Sequence, residues 1–471
     1  MIRALPALIG IAVLIAISVF VADRPGTVEL TWQDWRIDTS VAVLVLGTGA
    51  VAMIAAALFH LLRKLIGAPH AIRRSRHERR RAAGYRALTQ GMVAVAAGEA
   101  TEALKLARKA DVLLAEPPLT LLLSAQAAQL NGDRDAARKY FTAMLERGET
   151  EFLGLRGLLM QALHAGDESL GLKLVERARA LHPRTIWVLN QLYELQTRAG
   201  QWTRAEATLG ERLARNAIDA ATARRHRAVL LHEESREAET AGDGAHALSL
   251  AASAFASDPG FAPGAARYAR LQAAQGAARR AMKILASAWR AAPHPDLAAA
   301  YHALFPDETP VQRVKRVERL AAANIDHVES RLALAKAALT ARLWGEARRR
   351  LPVDEPSPRV CRLMADIEEG EHGDHAAARA WLARAVDTPF ADPAYVCDIC
   401  GAATPEWVAI CPHCRAFASL TWRTPKGDPL RLATSAAGPE FATAALVDAS
   451  PTRLLRSARP ADRASLPGMP T

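Results

Sequence analysis

Four cysteines stand in one short stretch, YVCDICGAATPEWVAICPHCRAFASLTWR at 395–423. Cys397 and Cys400 form one C-x2-C, Cys411 and Cys414 a second, with ten residues between the pairs. Four thiolates are a soft tetrahedral donor set, suited to Zn²⁺ with bonds of about 2.3 Å or to iron in a rubredoxin-like site. The spacing predicts metal binding rather than a secreted disulfide framework. Other chemistry fits less well. A thioredoxin-like C-x-x-C requires a surrounding βαβ pattern, which is missing, and covalent haem requires C-x-x-C-H, whereas Gly401 and Arg415 follow the two pairs. A catalytic zinc keeps an open position, but four cysteines close the site, so a zinc here is expected to be structural. Gly401 and the Pro412–His413 pair fall at the expected turns. Cys361, in VCRLMADI, reads as a small buried hydrophobe.

What positions this knuckle is a long helical region. Gly98, Gly132, Gly166 and Gly200 are spaced 34 residues apart, and Gly242 and Gly276 keep that interval after an eight-residue insertion. Five residues after each glycine comes a small residue: Ala103, Ala137, Gly171, Ala205, Ala247 and Ala281. A helix, a turn and a helix with a small residue at the crossing, repeated every 34 residues, is the pattern of a tetratricopeptide-type array. One hairpin cannot bury its own apolar face, so hairpins stack and leave a concave surface suited to binding proteins. Pro117, Pro183, Pro259 and Pro293 fall near repeat ends. Beyond about residue 290 the period loosens at LFPDETPVQ (304–312), and two further hairpins are expected over 327–351 and 358–387. Trp187, Trp202, Trp289, Trp344 and Trp381 read as core or groove aromatics.

Two uncharged apolar stretches precede the repeats, at 5–22 and 40–62, each long enough to cross a hydrocarbon core of about 30 Å as a helix. A cleaved signal peptide is disfavoured for the first, because a second span follows at once and the flank lacks a small-x-small cleavage pattern. Residues 23–39 carry four acids and two arginines; residues 63–86 carry nine Arg or Lys and one Glu. That asymmetry predicts a two-helix membrane anchor with both termini and the repeats cytoplasmic. Trp32 and Trp35, about Gln33-Asp34 in a segment that permits a very short β-hairpin, are expected at the interface.

The expected organisation is thus all-α: a two-span anchor over 1–67, a basic juxtamembrane segment over 68–84, tetratricopeptide-like repeats over 85–390, the knuckle over 395–423 and a disordered tail over 424–471. The net charge of +11 raises nucleic acid as a partner. The basic residues are however clustered at 63–86 or spread beside glutamates, and no nucleic-acid module is present, so no nucleic acid and no small-molecule substrate are expected. No P-loop, dinucleotide fingerprint, G-x-S-x-G or H-E-x-x-H occurs, and the chain is read as a non-enzyme.

ADRPGTVELTWQDWRIDTS at 22–40 and ERRRAAGYRALTQGMVAVAAGEATEALKLARKA at 78–110 resemble the HemY N-terminal family, membrane-anchored tetratricopeptide proteins of proteobacteria. The knuckle followed by AFASLTWRTP resembles the C-terminal extension of alphaproteobacterial members. The resemblance implies an inner-membrane scaffold or regulator linked to haem or porphyrin biosynthesis, with haem-pathway enzymes as protein partners, and it supplies no catalytic residues. The missing dinucleotide fingerprint separates it from the flavin-dependent oxidase that shares the HemY name. The alternative is an adaptor controlling proteolysis of an envelope-biosynthesis enzyme, like lipopolysaccharide assembly protein B, which also ends in a four-cysteine knuckle.

Overall fold

The computed structural model describes residues 19, 26–32, 35–114, 117–354 and 356–425. The first apolar stretch (Val19 apart) and the tail beyond 425 lie outside the described residues. The chain divides into two compact units, residues 1–131 and 132–471.

In the first unit, β1 (Thr27–Trp32) pairs antiparallel with β2 (Trp35–Ser40), with Leu30 opposite Ile37 and Trp32 opposite Trp35. Ser40 then caps a single helix, α1 (Val41–Ala97), by accepting a hydrogen bond from the Val43 amide. Its 57 residues make a rod roughly 85 Å long. The second apolar stretch, the basic segment and the first repeat helix, read as three regions in the sequence, are one continuous element. No capping residue or glycine turn intervenes until Gly98, in the left-handed region at φ 80°, ends it. Within α1, Val43–Leu62 is apolar, with no buried residue among those described, and it is long enough to cross a membrane.

The last turns of α1 pack against α2 (Ala100–Leu114) and α3 (Pro117–Leu130), around Leu88, Leu106, Leu114 and Leu123. Gly84 and Gly91 allow the approach, since a Cβ at either would fall 2.6 Å from Leu114 or Leu123.

The second unit continues the hairpins: α4 (Arg134–Met144), α5 (Glu151–His164) with α6 (Glu168–Leu181), α7 (Ile186–Arg198) with α8 (Trp202–Ala214), α9 (Ala220–Thr240) with α10 (Gly244–Ser257), and α11 (Ala262–Ala274) with α12 (Ala278–Ala291). Next come α13 (Pro295–Ala303) and α14 (Pro310–Ala321), separated by the irregular 304–309, then α15 (Val328–Thr340) with α16 (Trp344–Arg350), and α17 (Pro358–His372) with α18 (His375–Asp387). The repeated glycine ends the first helix of each hairpin with φ between 69° and 84° from Gly98 to Gly276. No atom lies near enough to a Cβ there to require glycine for space, except a loose contact at Gly200, so the left-handed backbone is the requirement. Arg342 takes that conformation between α15 and α16, at φ 55°, and Gly373 takes it between α17 and α18. The period fades in the sequence after 290 partly because an arginine occupies the turn.

The small residue five places on is buried in every hairpin: Ala103, Ala137, Ala205, Ala247 and Ala281 have no exposed surface, and neither does Ala347 after Arg342. A Cβ on Gly171 would touch Leu159 and Leu195 at 3.5 Å. Polar links join neighbouring hairpins: Trp202 donates to Glu237, Trp289 to Ser330, and Arg270 binds Glu239 with both terminal nitrogens. Much of the arginine excess is therefore spent on glutamates about one repeat away, such as Arg204 on Glu176 and Arg359 on Glu329.

Candidate metal centre and its docking face

After α18 the chain turns back. Thr388 donates to the Pro356 carbonyl and Asp392 meets Arg359, which leads the chain into β3 (Ala394–Cys397). This strand is the centre of a small antiparallel sheet between β4 (Ala403–Thr404) and β5 (Leu420–Arg423). The two C-x2-C segments adopt the same turn. In each, the amide of the first cysteine donates to the carbonyl five residues on (Cys397 to Ala402, Cys411 to Ala416), and the amide four residues on donates back to it (Gly401, Arg415), all at 2.9 Å. That turn needs a left-handed residue after the second cysteine. Gly401 supplies it at φ 75°, and Arg415 supplies it at 59°.

The turns bring the four thiols together. Cys397 Sγ lies 3.6 Å from Cys414 Sγ, Cys400 Sγ lies 3.8 Å from Cys411 Sγ, and all four sulfurs fall within 4.8 Å of one another. A tetrahedral ion with bonds of about 2.3 Å needs its sulfurs about 3.8 Å apart, so the donor set fits a metal ion. Burial raises the Cys397 thiol, but the Ser419 hydroxyl 3.2 Å away and the Cys400 and Ile399 amides outweigh it and hold the group down at about 6. Burial dominates at Cys400 and Cys414, which are pushed up, Cys414 to about 12. His413, between the ligand candidates, is exposed. Cys361 lies apart, fully buried in α17, with its thiol 3.8 Å from the Pro356 carbonyl.

The knuckle lies against the middle of the second unit. Three of its aromatic side chains each meet a histidine of the solenoid edge-on. Phe417 meets His226 at 5.6 Å, Trp407 meets His232 at 5.3 Å and Trp422 meets His294 at 4.5 Å. His226 and His232 are on α9, and His294 caps α13. Around them, Phe417 also packs near Tyr193 of α7 and Trp202 of α8, and Trp407 packs on Phe261 at the start of α11. Polar contacts frame this row. Tyr395 donates to Asp296 at 2.8 Å, Arg225 donates to the Leu420 carbonyl at 3.0 Å, and Arg415 binds Glu168 at 2.9 Å. Trp407 and Trp422 also belong to the apolar shell around the cysteines. The same rings therefore enclose the thiols and touch the solenoid.

Burial depresses the three imidazoles. His226 is held at about 4, with Arg212 and Arg225 adding to the effect, and His232 at about 3, with Arg267 and Arg236 adding. His294 is lowered by burial against the opposing pull of Asp296. Helical spacing gives no sign that residues 226, 232 and 294 face a segment that arrives from more than a hundred positions later.

These features define a tetratricopeptide-type helical repeat protein with an exposed apolar N-terminal helix and a C-terminal four-cysteine knuckle. Comparison with known proteins agrees. Residues 26–132 match the family described as HemY protein N-terminus, and residues 395–421 match a rubredoxin metal binding domain of the LapB zinc-ribbon type. A probable magnetosome protein, Mms48 of Magnetospirillum gryphiswaldense, is 29% identical over 428 residues, 90% of this chain and 93% of that protein. Among solved structures, the Naa15/Naa10 complex bound to HypK-THB aligns with a TM-score of 0.40 at 13% identity, over 64% of this chain and 47% of that one. A tetratricopeptide protein of Thermus thermophilus aligns at 0.21 and 20% identity, over 40% of this chain and 99% of its own. Likenesses at such scores carry no argument beyond the helical hairpins already described. The family matches point to a scaffold or adaptor and to no catalytic family.

Proposed function

We propose that this protein is a non-enzymatic membrane-anchored adaptor that gathers protein partners on its repeat surface, in the service of haem or porphyrin biosynthesis. The observation that carries the anchored-adaptor reading is α1, in which the apolar Val43–Leu62 runs without a break into the first repeat helix. Partners held on the repeats would thereby be held at a membrane. The link to haem rests on the match of 26–132 to the HemY protein N-terminus.

In this reading the anchor has two spans, 5–22 and 40–62, in a bacterial inner membrane. The acidic segment 23–39 lies across the membrane, and the basic 63–86 with both termini and the repeats lies in the cytoplasm. Cys397, Cys400, Cys411 and Cys414 hold a structural Zn²⁺, with Fe the alternative ion. A second reading, an adaptor that controls proteolysis of an envelope-biosynthesis enzyme, is favoured by the match of 395–421 to the LapB-type rubredoxin domain.

Affinity purification of the full chain in detergent, with co-purifying proteins identified by mass spectrometry, separates the two readings. Enrichment of haem-pathway enzymes supports the first; a membrane protease with its substrates, and no haem enzymes, replaces it with the second. Metal analysis of the same sample distinguishes zinc from iron, since a four-thiolate iron site is coloured.

A further inference from the structure

The row of His226, His232 and His294 is supplied by two helices, α9 for the first two and the N-terminal cap of α13 for the third, with α10, α11 and α12 between them in the chain. Its occupant is already in the molecule. Phe417 and Trp407 fill the clefts around Tyr193 and Val229, and Ala409, Ile410 and Ala418 complete the joint apolar clusters. Little of the knuckle is an independent core, since it has three short strands and an apolar shell made of its thiols, Tyr395, Leu420 and two tryptophans. A fold that small depends on its metal, because a preformed site rarely exists without it. Trp407 belongs both to that shell and to the cluster with Val229 and Phe261. Loss of the ion therefore removes the support that aims Trp407 at His232.

We propose that the knuckle is a metal-dependent occupant of the α7–α13 face, so that metal loading decides whether the face is covered or bare. The proposal rests on the metal reading of the four cysteines given above. Bare, the face presents Tyr193, Phe261 and three imidazoles beside Arg225, a surface suited to a segment that carries aromatic side chains and an acidic residue. The knuckle has that composition, since Asp398 faces Arg225 at 3.9 Å.

The test is histidine labelling with diethyl pyrocarbonate on the full chain in detergent, read by mass spectrometry with metal content measured on the same samples. Exposed His372 and His375 serve as internal references. With metal bound, His226, His232 and His294 should label slowly. After chelation their labelling should rise roughly tenfold or more while the references stay constant. The variant Phe417→Ala/Arg225→Ala alters docking contacts outside the thiol shell, and it should raise labelling of His226 with the metal retained. Unchanged labelling after verified metal removal overturns the proposal, as does unchanged labelling in the metal-loaded double variant. A purified chain that carries no metal defeats the metal reading itself, and the metal assay reports that separately.

Discussion

At the scale of single residues, the chemistry is concentrated in four sulfurs and three imidazoles. Replacing Cys397 or Cys411, the two fully buried thiols of the cluster, with serine should abolish stoichiometric metal binding, as measured by elemental analysis. Cys361→Ser should leave metal content unchanged, because that thiol lies in α17 away from the cluster. The histidines predict a pH dependence of docking. Their pKa values are depressed in the docked state, to about 4 at His226 and about 3 at His232, against about 6.5 for a free imidazole. A depressed group contributes stability that is fully present above its free value and is lost as the pH falls through the window toward the docked value. Docking should therefore be intact at pH 7.5 and weaken progressively below about 6.5. Histidine accessibility, followed over the range in which metal content stays constant, checks this. A His226→Gln/His232→Gln variant, followed through exchange of the α9 amides, should show a flatter profile.

At the scale of elements, one left-handed residue per hairpin sets where the chain reverses. Gly242→Ala places a side chain at φ 84°, where the backbone itself is unfavourable, and should cost roughly 1–2 kcal/mol in denaturant unfolding. Arg342 already bears that strain at φ 55°, so Arg342→Gly should lose no stability, and a gain of up to about 1 kcal/mol is expected. Cost at both positions would show that these turns are set by something other than backbone conformation. Trp289 tests the packing between hairpins. It is fully buried and donates to Ser330 of α15, so Trp289→Ala should cost about 3–5 kcal/mol and leave the Ser330 hydroxyl without that partner.

At the scale of the whole molecule, the apolar stretch and the knuckle are the features that set this chain apart from a plain repeat array. Deleting 1–62 should move the remaining chain from the membrane fraction to the soluble fraction in cell fractionation, because Val43–Leu62 has no partner surface among the described residues. Persistent sedimentation with membranes would assign attachment to another part of the chain.

Much of this was legible in the sequence. The 34-residue recurrence of glycine and the small residue five places on identified the hairpins, because the backbone at a helix reversal and the helix crossing each tolerate few residue types. The two C-x2-C pairs identified the thiol cluster, because metal ligand geometry constrains local spacing. Two features were hidden for physical reasons. The continuity of α1 could not be read, since an apolar run, a basic run and an amphipathic run all permit a helix and composition alone does not mark a break. The docking of the knuckle was invisible because its contacts join residues such as Arg415 and Glu168, 247 positions apart. The four cysteines and the repeat were written in local spacing. Which face of the repeat the knuckle covers was decided only by folding, when distant aromatic rings and imidazoles found a shared surface that no local pattern encodes.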